Sequence, residues 1–276
     1  MKAPRPKKRF GQNFLIDQNV INEIISELKI CDDDTFLEIG PGKGAITKHI
    51  IPFCKEIILL EIDFDLVNLL KRDLCEQHKI TFINDDALKY DLSNEFKNTK
   101  FRLVGNLPYN ISTPLLFHFS SFISQIVDVH LMLQKEVVDR LVAKPGAKSY
   151  GRLSVMMQYQ YKIYRILDVS AEAFNPIPKV NSSFVRLLPH LNRNASVTDE
   201  LLFSNIVKLC FSKRRKIIKN SLKKYIEQGV QLEKTVDLNL RPENISVSDF
   251  VALSNAISTF GQNQNCLLYT SPSPRD

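Results

Sequence analysis

Residues 34–44 read DTFLEIGPGKG. Phe36, Leu37 and Ile39 make a short apolar run that stops at Gly40, and residues 43–51, KGAITKHII, carry helical spacing. A buried strand, a glycine turn and a helix start form a nucleotide-binding corner. Glycine allows backbone angles and close ligand approach that other residues do not, and the helix end offers free N–H groups. Gly40, Gly42 and Ala45 fit the G-x-G-x-x-G/A dinucleotide fingerprint. A tight strand–helix connection with no ligand would use the same residues, so the surroundings decide.

From Phe36 to Leu188, apolar runs alternate with helical stretches. Strands are expected at 36–39, 57–60, 80–84, 101–105, 127–133, 163–169 and 183–188. Helices are expected at 18–28, 43–51, 65–77, 112–122, 135–143 and 151–160. Such alternation predicts an α/β fold of the Rossmann-like kind, a mostly parallel sheet with helices on both faces. Ligands then bind at the C-terminal strand ends. Gly40, Glu61, Asp86 and Asn106 all stand at such ends. Residues 17–190 are assigned to this domain and 1–16 to a basic N-terminal arm. After Pro189 the strand pattern stops, and residues 198–260 read as a small all-helical domain. Residues 262–276, QNQNCLLYTSPSPRD, show no periodicity and read as a disordered or non-native tail.

The acidic residues narrow the ligand. Glu61 ends the run Ile57–Leu60, ~20 residues after the glycine turn, where a ribose-binding acid belongs. Glu38 lies inside the first strand, before the glycines. A carboxylate there would repel a pyrophosphate but suits S-adenosylmethionine, which has no phosphate and carries a sulfonium and an ammonium. Asp86, beside the small Ala87, can accept from an adenine amine or cap the helix expected after it. Asp63 and Asp65 read as loop charges or helix caps. A fourth run-end reads Gly105-Asn106-Leu107-Pro108-Tyr109-Asn110. It could be an ordinary Pro-Tyr turn. It also suits a reaction at the exocyclic amine of a nucleobase, whose lone pair is delocalised into the ring. The Asn106 carbonyl and a nearby backbone carbonyl can accept both N–H hydrogens and favour a tetrahedral nitrogen. The Tyr109 ring can stack on the base, worth ~1–3 kcal/mol. By this logic Asp in place of Asn106 would keep an acceptor and some activity.

Charge distribution says more than the net charge of +7. Lys2, Arg5, Lys7, Lys8 and Arg9 crowd the first nine residues. Residues 208–224 carry eight cations, among them Lys213, Arg214, Arg215, Lys216 and Lys219, and no acid. On a helix these would form a phosphate-binding face, with Ile217, Ile218 and Leu222 toward a core, though a charge run is also how a solvated face looks. The five cysteines, at 31, 54, 75, 210 and 266, form no C-x-x-C pair. They suggest neither a zinc site nor a disulfide framework, and a reducing cytoplasmic setting is expected.

These features together resemble one family, the ribosomal small-subunit RNA adenine N6,N6-dimethyltransferases. The motifs are KRFGQNFL at 8–15, EIGPGKG at 38–44, Glu61, DDA at 85–87, NLPY at 106–109, FNPIPKVNSSFVRL at 174–187 and the basic FSKRRKIIKNSL at 211–222. The glycine turn is shared by many methyltransferases, whereas the first and the 174–187 motifs are specific. The resemblance spans roughly residues 7–260. It implies a class I S-adenosylmethionine-dependent methyltransferase with one late antiparallel strand. It places Asn13 and Leu15 over the methionine end of the cofactor and Gly40 and Gly42 against it. Glu61 would hold the ribose, and Asp86 with Ala87 the adenine. Asn106, Leu107, Pro108 and Tyr109 would orient and stack the target base, with Phe174 on its other face. Lys7, Lys8, Arg9, Lys213, Arg214, Arg215, Lys216 and Lys219 would bind RNA.

The implied activity is dimethylation of N6 on two adjacent adenosines in the 3′-terminal hairpin loop of small-subunit rRNA, with a role in subunit biogenesis. The partner would be small-subunit rRNA in an immature subunit. No metal, membrane or second copy of the chain is expected to take part. Catalysis would be in-line displacement at the sulfonium, resting on positioning. Other readings are a related large-subunit rRNA methyltransferase of the macrolide-resistance type and an assembly factor acting mainly by binding. A nicotinamide oxidoreductase is disfavoured by Glu38 and by the lack of a hydride-transfer acid.

Overall fold

Two units make up the chain, one of residues 1–139 and 160–189 and one of residues 140–159 and 190–276. The computed structural model describes residues 4–75, 79–92, 95–96, 99–190 and 196–269, with side chains as far as Gly261. In the first unit the chain runs through β1 (Phe14–Leu15), α1 (Gln18–Leu28), β2 (Thr35–Ile39), α2 (Thr47–Ile50), β3 (Glu56–Leu60), α3 (Phe64–Asp73), β4 (Ile80–Ile83), β5 (Phe101–Asn106), α4 (Ser112–Ser120) and β6 (Ile126–Gln134). Helices α5 (Lys135–Leu141) and α6 (Arg152–Gln160) cross the boundary between the units, and β7 (Tyr161–Val169), β8 (Phe174–Asn175) and β9 (Ser182–Pro189) complete the first.

Seven strands form one sheet in the order β4-β3-β2-β5-β6-β9-β7. The pairs from β4 to β6 are parallel, and β9 runs antiparallel to both its neighbours. The fold is that of a class I methyltransferase, α/β with a single reversed strand. All five residues of β2 are buried, as a strand covered on both faces requires. On one face Phe36, Ile57, Leu59, Val104, Met132 and Phe184 pack against Ile21, Ile24 and Leu28 of α1, Ile50 of α2 and Leu70 of α3. Asp17 caps α1, accepting from the N–H groups of Asn19 and Val20 at 2.8 and 3.2 Å. Sequence periodicity missed the two-stranded pair β1–β8, in which Phe14 faces Asn175 and Leu15 faces Phe174. Two residues are too few to show a period of two.

A polar cluster sits at the opposite end of the sheet from the glycine turn. Arg102 of β5 lies across from Asp128 of β6 and grips it through two bonds of 2.9 and 3.0 Å. It also donates to Asp34 at 2.7 Å and to the Leu28 carbonyl at the end of α1 at 2.6 Å. Burial alone would push the Asp128 carboxyl up. His130 and Arg102 outweigh it and hold the group well below the usual carboxylate range. His130 Nδ1 is 3.5 Å away and outside hydrogen-bond geometry, so Arg102 is the stronger hold.

In the second unit, Asp199 caps α7 (Glu200–Ser212), and Phe203, Ile206, Val207 and Cys210 are buried at helical spacing. The basic run does not continue this helix, contrary to expectation. Residues 213–217 are irregular, followed by α8 (Ile218–Ser221) and α9 (Lys223–Glu227). The N–H groups of Ile218 and Lys219, which open α8 and have no intrahelical partner, meet the carbonyls of Leu240 and Leu238 at 2.9 and 3.1 Å. Residues 140–159 belong with this unit and not with the sheet domain assigned to 17–190. Tyr159 packs on Phe203, Tyr150 on Phe211, and the buried Tyr150 hydroxyl donates to the Ile245 carbonyl at 3.0 Å. The last helix, α10 (Val247–Tyr269), takes in residues 262–269, which were expected to lack structure. The first helix-breaking proline after Gly261 is Pro272. Residues 270–276 of that tail lie outside the described residues. Among the described residues no helix is long and apolar enough to cross a membrane.

Arg102→Met should destabilise the protein by about 3 kcal/mol at neutral pH, because it leaves the buried Asp128 with the half-exposed Arg186 and the more distant His130. A depressed carboxylate adds stability above its unfolded pKa and loses it as pH falls through the folded value. The gap between variant and wild type should therefore narrow in acid, as read from urea denaturation at several pH values.

Candidate active site

Parallel register lines up the strand ends. Ile39 pairs with Leu60 and with Gly105, and Leu60 pairs with Ile83. One step beyond this row stand Gly40, Glu61, Asn84 and Asn106. The row closes tightly at Gly105, where a Cβ would lie 2.7 Å from the Ile39 carbonyl oxygen. Gly40 and Gly42 have φ of +63° and +60°. A Cβ on Gly42 would also come within 3.0 Å of the Phe14 ring. The turn thus needs glycine for both conformation and space.

Two carboxylates face this turn. Glu61, 5 % exposed, accepts from the N–H of Gly42 at 3.2 Å and of Asp63 at 3.0 Å. Burial raises its pKa against those bonds. Glu38, 2 % exposed, accepts from the Thr47 hydroxyl at 2.7 Å. Burial pushes its carboxyl up to about 7, Thr47 opposes the shift and Glu61 adds to it. Among the described residues neither carboxylate has a cation within ion-pair distance. A site of this kind repels phosphate and suits a cationic ligand.

Asn106 ends β5, and its amide nitrogen donates to the Asn13 carbonyl at 2.9 Å. A carbonyl only accepts, so the carboxamide can face it in one way only, which leaves Oδ1 as an acceptor. Leu107 donates its N–H to the Met132 carbonyl at 3.2 Å, and the Pro108 carbonyl accepts from Ile111. The half-buried Tyr109 has its hydroxyl 2.7 Å from Ser182 Oγ at the start of β9. That tether fixes the ring.

A single open cavity joins these parts. Its lining includes Asn13, Leu15, Gly40, Gly42, Glu61, Asp86, Ala87, Asn106, Leu107, Pro108 and Tyr109. Asp86 serves two ends. One oxygen caps a turn by accepting from the Leu88 N–H at 3.0 Å, and the carboxylate still borders the cavity. Phe174 does not join the others. It is 1 % exposed in the core beside Leu15, because pairing of β8 with β1 turns it inward.

The expected RNA-binding cations divide. Lys8 and Arg9 are exposed, as are Lys213, Arg215, Lys216 and Lys219. Lys7 is not a free cation, since it bridges Asp63 at 2.6 Å and Asp65 at 2.7 Å. Arg214 is ion-paired with Glu243 at 2.8 Å and donates to the Lys148 carbonyl at 2.5 Å. Sequence reading missed Gln12, Thr47 and the part played by the Asn13 carbonyl. Thr47 sits nine residues after Glu38, and only the folded strand–turn–helix brings them together. A backbone carbonyl leaves no mark in a sequence.

Comparison with known proteins follows the same line. Residues 4–259 match the family model described as ribosomal RNA adenine dimethylase. A ribosomal RNA small subunit methyltransferase A from Dechloromonas aromatica is 43% identical over 258 residues, 94% of this chain and 100% of the relative. The same-named protein of Coxiella burnetii is 44% identical over 258 residues, with 94% and 100% covered. A dimethyladenosine transferase from Plasmodium falciparum superposes with a TM-score of 0.75 at 27% identity, covering 90% of this chain and 98% of the other. The 23S rRNA methyltransferase ErmE gives 0.70 at 24% identity, covering 89% and 100%, a likeness of fold alone. The chain belongs to the ribosomal RNA adenine dimethylase family.

Proposed function

We propose that this chain methylates N6 of two adjacent adenosines in the 3′-terminal hairpin loop of small-subunit rRNA, with S-adenosylmethionine as methyl donor. The substrate is an immature small subunit, the enzyme acts as a cytoplasmic monomer, and the modification belongs to subunit biogenesis. The observation that carries the reading is the bond from Asn106 to Asn13, which leaves an acceptor oxygen on a residue lining the same cavity as the buried, cation-free Glu38 and Glu61. The small-subunit assignment draws on relatives at 43–44% identity named for that subunit, against 24% for the large-subunit enzyme.

The residues present fit the donor. Gly40 and Gly42 leave room for close approach, Glu61 offers two oxygens to ribose hydroxyls, and Asp86 an acceptor to the adenine amine. Asn13 and Leu15 cover the methionine end. The bound donor supplies an electrophilic methyl on a sulfonium. Asn106 Oδ1 and the Leu107 carbonyl accept from the target amine and draw its lone pair out of the ring. Tyr109, fixed through Ser182, offers its face to an unpaired adenine. No strong base is needed, because the proton leaves once nitrogen has become cationic. Lys8, Arg9, Lys213, Arg215, Lys216 and Lys219 meet RNA phosphates.

Labelled donor and small subunits lacking these methyl groups, followed by mass spectrometry of the RNA, test the function. Two dimethylated adjacent adenosines are expected, and transfer only to large-subunit RNA would overturn it. Asn106→Ala should lower turnover by about 100-fold or more while changing donor affinity little. Asn106→Asp should do no better. It would set a carboxylate against the Asn13 carbonyl in place of a donor, which weighs against the activity that its acceptor oxygens would otherwise keep. Wild-type turnover by either variant would remove Asn106 from this role.

The carboxylates predict a pH dependence. Glu38 titrates near 7 without ligand, and a bound cation favours its charged form. Donor binding below that pH must release a proton, so affinity should fall by up to about tenfold per pH unit of acidification. The product, a neutral thioether, should show a shallower fall. Calorimetry with donor and product across about pH 6 to 8 reads this difference, and Glu38→Gln should flatten it.

A further inference from the structure

The wall of the cavity formed by residues 10–16 is one continuous stretch of chain. It is short, mostly irregular, and held at few points. At its far end Phe14 and Leu15 pair with β8. Near its middle the Asn13 carbonyl receives the Asn106 amide. At its near end the hold is ionic. Lys7 Nζ sits between Asp63 Oδ1 at 2.6 Å and Asp65 Oδ2 at 2.7 Å. The Lys7 backbone N–H donates to Gln12 Oε1 at 2.7 Å, and Gln12 Nε2 donates to Asp63 Oδ2 at 2.9 Å. Asp63 is 1 % exposed, caps α3 by accepting from the Asp65 N–H, and gives its own N–H to Glu61.

We propose that Lys7, Gln12 and Asp63 form a clasp that holds residues 10–16 over the cavity and so positions Asn106, which makes Lys7 a positioning residue for methyl transfer and not an RNA contact. This rests on the reading of the cavity as the donor site. Charge-assisted bonds to a buried carboxylate are the strong kind. Asp63 is a rigid anchor, since its backbone is tied to Glu61 and its side chain to α3. Releasing the Lys7 side chain loosens the residue whose backbone N–H holds Gln12 Oε1, leaves Gln12 tied to Asp63 by one bond, and so slackens the chain up to Asn13. The Asn106 carboxamide then loses the acceptor that fixes which of its atoms faces the target amine. The clasp thus links the ribose acid to the amine acceptor through the strap, with no contact to RNA required.

The test uses the full chain with Lys7→Met, Lys7→Arg and Gln12→Leu. Hydrogen exchange of the peptide spanning residues 8–16 is read without ligand, so it does not depend on the identity of the donor. Lys7→Met should raise exchange there and spare the core strands. It should weaken donor affinity and lower kcat, each by about tenfold, the size of one charge-assisted bond. KM for the subunit and the slope of log affinity against log salt should stay as in wild type. Lys7→Arg, which can still bridge two carboxylates, should recover most of both losses, and Gln12→Leu should reproduce the exchange and kcat changes. Unchanged exchange with a salt slope flatter by about 0.7–0.9 would show Lys7 to be a phosphate contact and overturn the clasp. Raised exchange with unaltered donor affinity and kcat would overturn its positioning role. If wild type fails to bind donor, the donor-site reading fails, while the exchange result still judges whether the clasp holds the strap.

Discussion

In-register parallel pairing across β4, β3, β2 and β5 is the constraint on which the site depends. Because Ile83, Leu60, Ile39 and Gly105 form one row, the next residue of each strand emerges on the same edge of the sheet. No loop has to find its neighbour. The close approach at Gly105 shows how narrow the tolerance is, since a single methyl there would meet a backbone oxygen. A sheet buried on both faces cannot slip register without moving every apolar side chain, so its packing fixes the strand ends as well. The Arg102–Asp128 pair at the other end of β5 and β6 adds a polar lock to the same two strands.

The buried acids carry a cost to stability that the proposed function explains. A carboxyl raised from 4.5 to about 7 contributes most to folding below its unfolded pKa, and that contribution is lost as pH rises through the folded value. Glu38 is therefore least favourable to the fold at and above neutrality, in the absence of ligand. Its single hydroxyl partner, Thr47, offsets only part of the burial. A protein built for stability alone would place an apolar residue in β2 here. A cation-binding site gains from the opposite choice, because the carboxylate is already stripped of water when the ligand arrives.

Much of this was legible in the sequence, and the reason is local. The strands that carry the site, β2 to β5, are largely apolar runs bounded by polar or glycine residues, so their ends and the functional residues at or after them could be read together. Gly40, Glu61, Asp86 and Asn106 were found in this way, and all border one cavity. What failed depended on partners distant in the chain. Phe174 looked available for a base until β1 and β8 paired and turned it into the core. The basic run at 213–219 looked like one helix, yet it breaks at 213–217 and restarts as α8 only where Leu238 and Leu240 supply carbonyls to its first N–H groups. Lys7 looked like its neighbours Lys8 and Arg9, yet two aspartates more than fifty residues away single it out. Charge runs give the sum of charges and not their destinations.

Asn106 shows why a carboxamide occupies the end of β5. On the proposed reading the position needs a donor toward residues 10–16 and an acceptor toward the cavity, on one rigid planar group. Serine could do both, but its rotating hydroxyl would not bind one role to the other. Aspartate accepts on both sides, and leucine does neither. In asparagine, the bond that uses the nitrogen fixes the direction of the oxygen. Placement of the acceptor is therefore tied to the seating of residues 10–16, and through Gln12 and Asp63 to the same turn that carries Glu61. On the proposed reading the reaction relies on orientation more than on acid–base strength, and a misplaced acceptor is then costly.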